Sequence, residues 1–289
     1  MKRPLLGLSS GSFYPHSRRV ALCFRFAREL RLDGVEIICD PERETHDEAL
    51  LKALVEKHGV PVMSLHSPFP HRVLQRWQPG AVAYIRQTVR LAERIGAAHV
   101  VAHLPERIRF RRLTLGAKDF RLPCLSSHGK AVKQWIDEGG LRRLQEDTPV
   151  LICIENLPRL VDLFPPEWLI WWNTPKKWAR VHEYLTLDTT HWGTHGIEAL
   201  DAYRAGGKRI RHIHLSNYGN GKQHQLPHLG ELDLRVLLRQ LAKDAFSGQI
   251  VVELGGQSIE RNHECDQDGK MMRNIGDAIA FCRSALENR

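Results

Sequence analysis

Nowhere in the 289 residues is there an apolar run near the roughly 18 residues that a membrane-spanning helix needs, so no membrane partner is expected. Cysteine is sparse and scattered. Cys23, Cys39, Cys124, Cys153, Cys265 and Cys282 form no CxxC pair, which argues against a thiolate zinc site. Neither GxGxxG nor GxxxxGK[ST] follows the first apolar run, and this weighs against a nucleotide-binding open sheet. The opening segment MKRPLLGLSSGSF has two basic residues but only a very short apolar run. It reads as a first strand rather than a signal peptide. With Cys39 and Cys153 in or beside apolar runs, reduced thiols and a cytoplasmic location are expected. No shift of composition marks a domain break, so residues 1–289 are read as one domain.

What is present is a regular alternation. Apolar residues make up 42% of the chain, enough for a sizeable core. Short apolar runs recur as LLGLSS, GVEII, VPVMSLH, AAHVVAH, PVLICIE, YLTLD, RIRHIHL and GQIVVE. Between most of them lie stretches such as AVAYIRQTVRLAERIG, with apolar residues at helical spacings of three and four. Eight strands alternating with helices in a chain of this length predict an α/β fold, a (β/α)8 TIM barrel. A doubly wound open sheet is the structural alternative. Residues 104–148 read as an extended basic βα loop plus one helix. The formal charge of +9 favours an anionic substrate, and residues 106–121 concentrate six Arg/Lys against two acids. Within that segment Arg107, Arg109, Arg111 and Arg112 are candidate substrate contacts. The stretch 158–178 carries four tryptophans and reads either as a packed helix, a dimer contact or a substrate-covering loop.

From the third run onward, nearly every run ends in a side chain able to bind metal. The series is His66, His103, Glu155, Asp188 with His191, His214 and Glu253. Strand C-termini in a barrel converge on one face, and alternation lets one inward residue per strand meet at a common centre. A single strand-end histidine is ordinarily structural; seven such residues in six consecutive runs point to a metal site. Histidine and carboxylate without thiolate suit Zn²⁺, Mn²⁺ or Fe²⁺. His212 and His99, each placed before a candidate ligand and deeper in the barrel, are assigned to packing.

These residues, with the motifs DGVEI, SLHSPF, VVAHLP, CIENLP, LDTTHWG, HIHLSN, LGELDL and VVELGG, resemble the xylose isomerase-like barrels. That group includes the sugar isomerases and epimerases and the endonuclease IV family. The resemblance implies a metal quartet of Glu155, Asp188, His214 and Glu253. It further implies that His66 and His103, with Glu155, resemble the endonuclease IV ligands for a further zinc. His191 resembles a histidine serving a third zinc in that branch and a substrate contact in the epimerase branch. Endonuclease IV has an Asp-x-His pair after the seventh strand, whereas NGKQHQLPHLG here supplies His224 and His228 without an aspartate. His224 is therefore a candidate metal ligand and His228 a candidate substrate contact.

Two chemistries follow. The first is hydrolysis of a phosphodiester with two or three Zn²⁺ ions, the substrate being DNA or a smaller nucleotide-bearing molecule. The alternative is a metal-dependent sugar or sugar phosphate isomerase or epimerase, using Mn²⁺ or Mg²⁺, with Glu155 and Glu253 as catalytic residues exchanging a proton. A non-enzymatic binding protein on the same barrel is a third reading.

Overall fold

The computed structural model describes residues 3–14, 19–70, 72–115, 118–159, 165–259 and 267–287. Twelve strands are described. They are β1 Leu5–Ser9, β2 Gly34–Ile38, β3 Val62–His66, β4 His99–His103, β5 Ile108–Leu115, β6 Lys118–Leu125, β7 Leu151–Glu155, β8 Leu185–Asp188, β9 Ile210–Leu215, β10 Asn217–Gly219, β11 Lys222–Gln225 and β12 Gln249–Val252. Eight of them close a parallel barrel in the order β1-β12-β9-β8-β7-β4-β3-β2. These eight are the eight apolar runs of the sequence. β3, for instance, is buried along its whole length, because helices cover its outward side chains and the barrel interior its inward ones.

The α-helices are α1 Arg19–Glu29, α2 Glu48–His58, α3 Ala81–Ile95, α4 Ser127–Asp137, α5 Gly140–Glu146, α6 Pro166–Leu169, α7 Pro175–Trp178, α8 Thr189–Gly193, α9 Ala199–Gly206, α10 Leu234–Lys243, α11 Gly256–Ile259 and α12 Gln267–Glu287. In α3, Tyr84, Ile85, Thr88, Val89, Leu91 and Ala92 are buried, at the three-and-four spacing that faces one side of a helix inward. Asp47 caps α2 by accepting from Leu50 N, and Gly59 ends it at φ 64°, a left-handed turn that a Cβ disfavours. Among the described residues no helix is long and apolar enough to cross a membrane.

One expectation is corrected. The stretch read as a loop plus one helix holds an antiparallel hairpin, β5 with β6, in register from Ile108↔Leu125 to Leu115↔Lys118, followed by the two helices α4 and α5. Polar and apolar residues alternate in RLTL at the end of β5, a strand signal that the preceding arginines obscured. The hairpin is anchored at its base: Arg107 N donates to Leu169 O at 2.8 Å, and Ser126 N donates to Arg107 O at 3.0 Å. Of the tryptophan-rich stretch, Trp178 is fully buried, packs edge-on against Trp192 at 5.7 Å and donates from Nε1 to Ile154 O at 3.0 Å. That is a packing role. Trp168 is exposed.

Candidate metal centre

Register explains why the site forms. Asp188 on β8 stands opposite His214 on β9, and His103 on β4 stands opposite Glu155 on β7. Four ligand-bearing strand ends therefore lie side by side at the C-terminal mouth of the barrel. Immediately after β12, the barrel neighbour of β9, comes Glu253. The His214 Nδ1 atom is 2.7 Å from Glu155 Oε1, 3.2 Å from Glu253 Oε2 and 3.8 Å from Asp188 Oδ2. Glu155, Asp188, His214 and Glu253 thus bring one ligand atom each to a common point.

The arrangement fits a cation. Asp188 is fully buried and its Oδ2 has no hydrogen-bond partner, the situation a buried carboxylate avoids unless an ion completes it. Burial first, and then the charges of Glu155 and Glu253, push the Asp188 carboxyl well above its usual range. Burial works against protonation of His214, but the carboxylates of Glu36, Glu253 and Glu155 overcome it and raise the imidazole well above its ordinary value. A divalent ion bound by three carboxylates and one imidazole would take the place of that proton. The donor set is hard oxygen with one nitrogen, which suits Mn²⁺, Mg²⁺ or Zn²⁺.

Two further groups adjoin the quartet. His66 Nε2 lies 3.0 Å from His103 Nε2, and both point at Glu155 Oε2, at 3.2 and 3.0 Å. The His66 Nδ1 is 2.8 Å from Ser67 O, which fixes the ring proton there and leaves Nε2 free for the centre. Burial opposes the charge on His66, yet the bond and charge of Glu155 raise it above its usual value. Burial likewise opposes ionisation of Glu155, but the charges of His214 and His103 hold its carboxyl well below the usual range.

On the other side, Asp188, His191 and His224 form a third group. Asp188 Oδ1 accepts from His191 N at 2.8 Å and so caps α8, and His191 Nδ1 is 2.9 Å from Asn156 O. Burial pushes the His191 imidazole down to about 3, so it is neutral and its Nε2 carries a lone pair. His224 sits at φ 53°, a left-handed conformation uncommon for a residue with a side chain. Its N donates to Thr190 Oγ1 at 3.1 Å, and its O accepts from Gly255 N at 2.8 Å and from Ser258 Oγ at 3.0 Å. Three contacts, from α8, from Gly255 after β12 and from α11, hold that strained residue in place.

The remaining expected site residues are the substrate-contact candidates. His228, the expected substrate contact, is exposed and its ring lies 6.2 Å from that of Phe281 of α12. Arg109 Nε donates to Glu106 Oε2 at 2.5 Å, three residues away, so its charge is met locally. Arg107 is exposed. Arg111 and Arg112 have side chains outside the described residues.

His212 is deeper than His214, as expected, but its assignment to packing is incomplete. Its Nε2 is 3.0 Å from Glu36 Oε2. Glu36, in the middle of the apolar strand β2, was not singled out from sequence at all. It is fully buried and also lies 2.8 Å from His214 Nε2. The available signal was the residue itself, since a lone carboxylate inside an apolar strand needs a partner. His99 is buried with its imidazole lowered to about 4, first by burial and then by His212. It behaves as a neutral core residue.

Comparison with known proteins agrees with this architecture. Residues 24–275 match the family described as the xylose isomerase-like TIM barrel, and the chain belongs to that family. An uncharacterised protein of Mycobacterium leprae is 28% identical over 280 residues, spanning 89% of this chain and 91% of its own. Among solved structures, a D-psicose 3-epimerase from Clostridium cellulolyticum, determined with D-tagatose, superposes with TM-score 0.68 at 17% identity, covering 99% of this chain and 100% of its own. The 3-keto-D-glucoside 4-epimerase of E. coli superposes with TM-score 0.65 at 18% identity over 98% of this chain and 100% of its own.

Proposed function

We propose that the protein is a divalent-metal-dependent epimerase or isomerase acting on a keto sugar or a keto glycoside. The observation that carries this is the convergence of Glu155 and Glu253, 2.7 and 3.2 Å from His214 Nδ1, from β7 and the end of β12, which β8 and β9 separate in the barrel. Inverting a carbon next to a carbonyl needs one carboxylate to take a proton from one face and a second to return one from the other. The full-length likeness of fold to two sugar epimerases supports the same choice.

The bound ion would supply Lewis-acid polarisation of the substrate carbonyl, with Glu155, Asp188, His214 and Glu253 holding it. The chain's own residues would do the rest. Glu155 starts ionised because His214 and His103 hold it so, and it accepts the substrate proton. His103, 3.0 Å from Glu155 Oε2 and 17% exposed, can pass that proton toward solvent. Glu253, 15% exposed, takes up a proton from solvent and returns it to the carbon. His66 and His103 line the sugar's approach, with Phe69 packed edge-on to His103 at 4.8 Å.

A second reading, phosphodiester hydrolysis with additional ions, is favoured by the His66–His103–Glu155 and Asp188–His191–His224 groups. The two are separated by assay. With Mn²⁺, Mg²⁺ or Zn²⁺ added, D-psicose, D-tagatose and a 3-keto-glucoside should take up solvent deuterium at carbon, followed by NMR. Glu253→Gln should slow that exchange by about 10²–10⁴-fold. No exchange with any of these sugars, together with metal-dependent cleavage of a simple phosphodiester, would replace the first reading with the second.

A further inference from the structure

Glu36 is the only charged residue of β2, and it is buried completely. Three groups from other strands reach it. Ser64 Oγ on β3 donates to Oε2 at 2.9 Å, His212 Nε2 on β9 is 3.0 Å from Oε2, and His214 Nε2 is 2.8 Å from Oε1. A carboxylate only accepts hydrogen bonds, so each of those nitrogens must present an N–H.

His214 has two ring nitrogens. If the proton is held on Nε2 by Glu36, then a neutral ring keeps its lone pair on Nδ1. That atom points among Glu155, Glu253 and Asp188. We propose that Glu36 is a positioning residue for the cation site. It selects the Nε2–H tautomer of His214 and fixes the ring so that Nδ1 is the ligand. Ser64 and His212 in turn hold the Glu36 carboxylate. This inference rests on the proposed cation at the quartet.

Glu36, His212 and His214 could themselves be taken for a metal site, since their ligand atoms also lie close together. Charge decides against it. That trio offers one carboxylate whose two oxygens already carry three contacts, whereas the quartet offers three carboxylates and one unpartnered oxygen. The cation goes where negative charge is uncompensated, and Glu36 stands behind the ligand, as outer carboxylates commonly do for metal-bound histidines.

The test uses the full chain with zinc alone as probe. Glu36→Gln offers one acceptor and one NH₂ where two N–H groups must be met, so one histidine has to change its tautomer. Zinc affinity, measured by competition with a chromophoric chelator, should fall about 10–100-fold with the number of ions per chain unchanged. In the zinc-loaded wild type, ¹⁵N shifts should report His214 protonated at Nε2, a signature that a purely structural role would not produce. Should Glu36→Gln fail to fold, that signature and the milder Ser64→Ala variant, expected to lower zinc affinity several-fold, still decide. His214 protonated at Nδ1, an affinity within twofold of wild type, or the loss of a whole zinc equivalent in Glu36→Gln would each overturn the inference while leaving the epimerase reading in place. A wild-type chain that takes up neither zinc nor manganese would remove both.

Discussion

Asp188 and Glu36 are both fully buried carboxylates within the same barrel, yet their surroundings drive them in opposite directions. Burial disfavours the charge on each. Around Glu36 the charges and hydrogen bonds of His214 and His212 outweigh burial and hold the carboxyl well below its usual range. Around Asp188 the neighbours are Glu155 and Glu253, and the carboxyl is pushed well above it. Glu36 is an anion whose partners are already built into the protein. Asp188 is a carboxyl whose charge has too little to meet it, with Oδ2 unmet. The same residue chemistry therefore suits a support in one place and a candidate ligand in the other, and only the neighbours tell them apart.

The most forceful way to test that contrast is Asp188→Asn. Neutralising a ligand should reduce divalent-ion affinity by more than the ~10–100-fold expected of an outer partner such as Glu36. In metal-free protein the same change should stabilise, because Asn mimics the protonated form that the site prefers while its Oδ1 still caps His191 N. A rise in melting temperature of about 2–4 °C corresponds to roughly 1 kcal/mol for a chain of this size. Lower stability without metal would show that Asp188 is supported as Glu36 is, and the contrast would collapse.

Next in size is His103→Ala, which asks whether the His66–His103–Glu155 group is a metal site in its own right. Under the epimerase reading the quartet is intact, so metal content stays constant and the loss is in substrate affinity. Elemental analysis of protein purified without added metal gives the answer. Loss of about one equivalent per chain, with phosphodiester cleavage abolished, would move the assignment to hydrolysis.

Much of this was legible in the residues. The eight barrel strands are the eight apolar runs, because a strand covered on both faces must be apolar nearly throughout. The strand-end residues His66, His103, Glu155, Asp188, His191 and His214 do meet, since parallel register aligns those ends. Glu36 escaped notice because it lies in mid-strand, away from the ends where ligands were sought. The β5–β6 hairpin escaped because arginines dominate its composition, and its strand period shows only in the residues between them. His228 follows His224 by only four residues. A turn between the two sends one side chain inward and the other to solvent, and spacing alone does not encode that.

The smallest expected effect is a slope of stability with pH in metal-free protein. His214 is raised well above its usual value, burial being outweighed by Glu36, Glu253 and Glu155. A raised histidine contributes stability that is fully present below its unfolded value of about 6.5 and is lost as pH rises through the folded value. Asp188, raised by burial and by Glu155 and Glu253, acts in the same direction, losing its contribution as pH rises above about 3.9. Opposing groups have finished by neutral pH. Glu155 and Glu36 are lowered, so their contribution is complete above about 4.3. His191, lowered to about 3 by burial, and His99, lowered to about 4, cease to matter above about 6.5. Between pH 7 and 8.5 only the downward terms remain, and the metal-free melting temperature should decline by about 2–4 °C. With saturating zinc or manganese the ion takes the place of the His214 proton, so the decline should vanish or reverse as deprotonation favours binding. Thermal melts of both forms across that range check it, and parallel slopes with and without metal would show that no ion displaces the proton on His214.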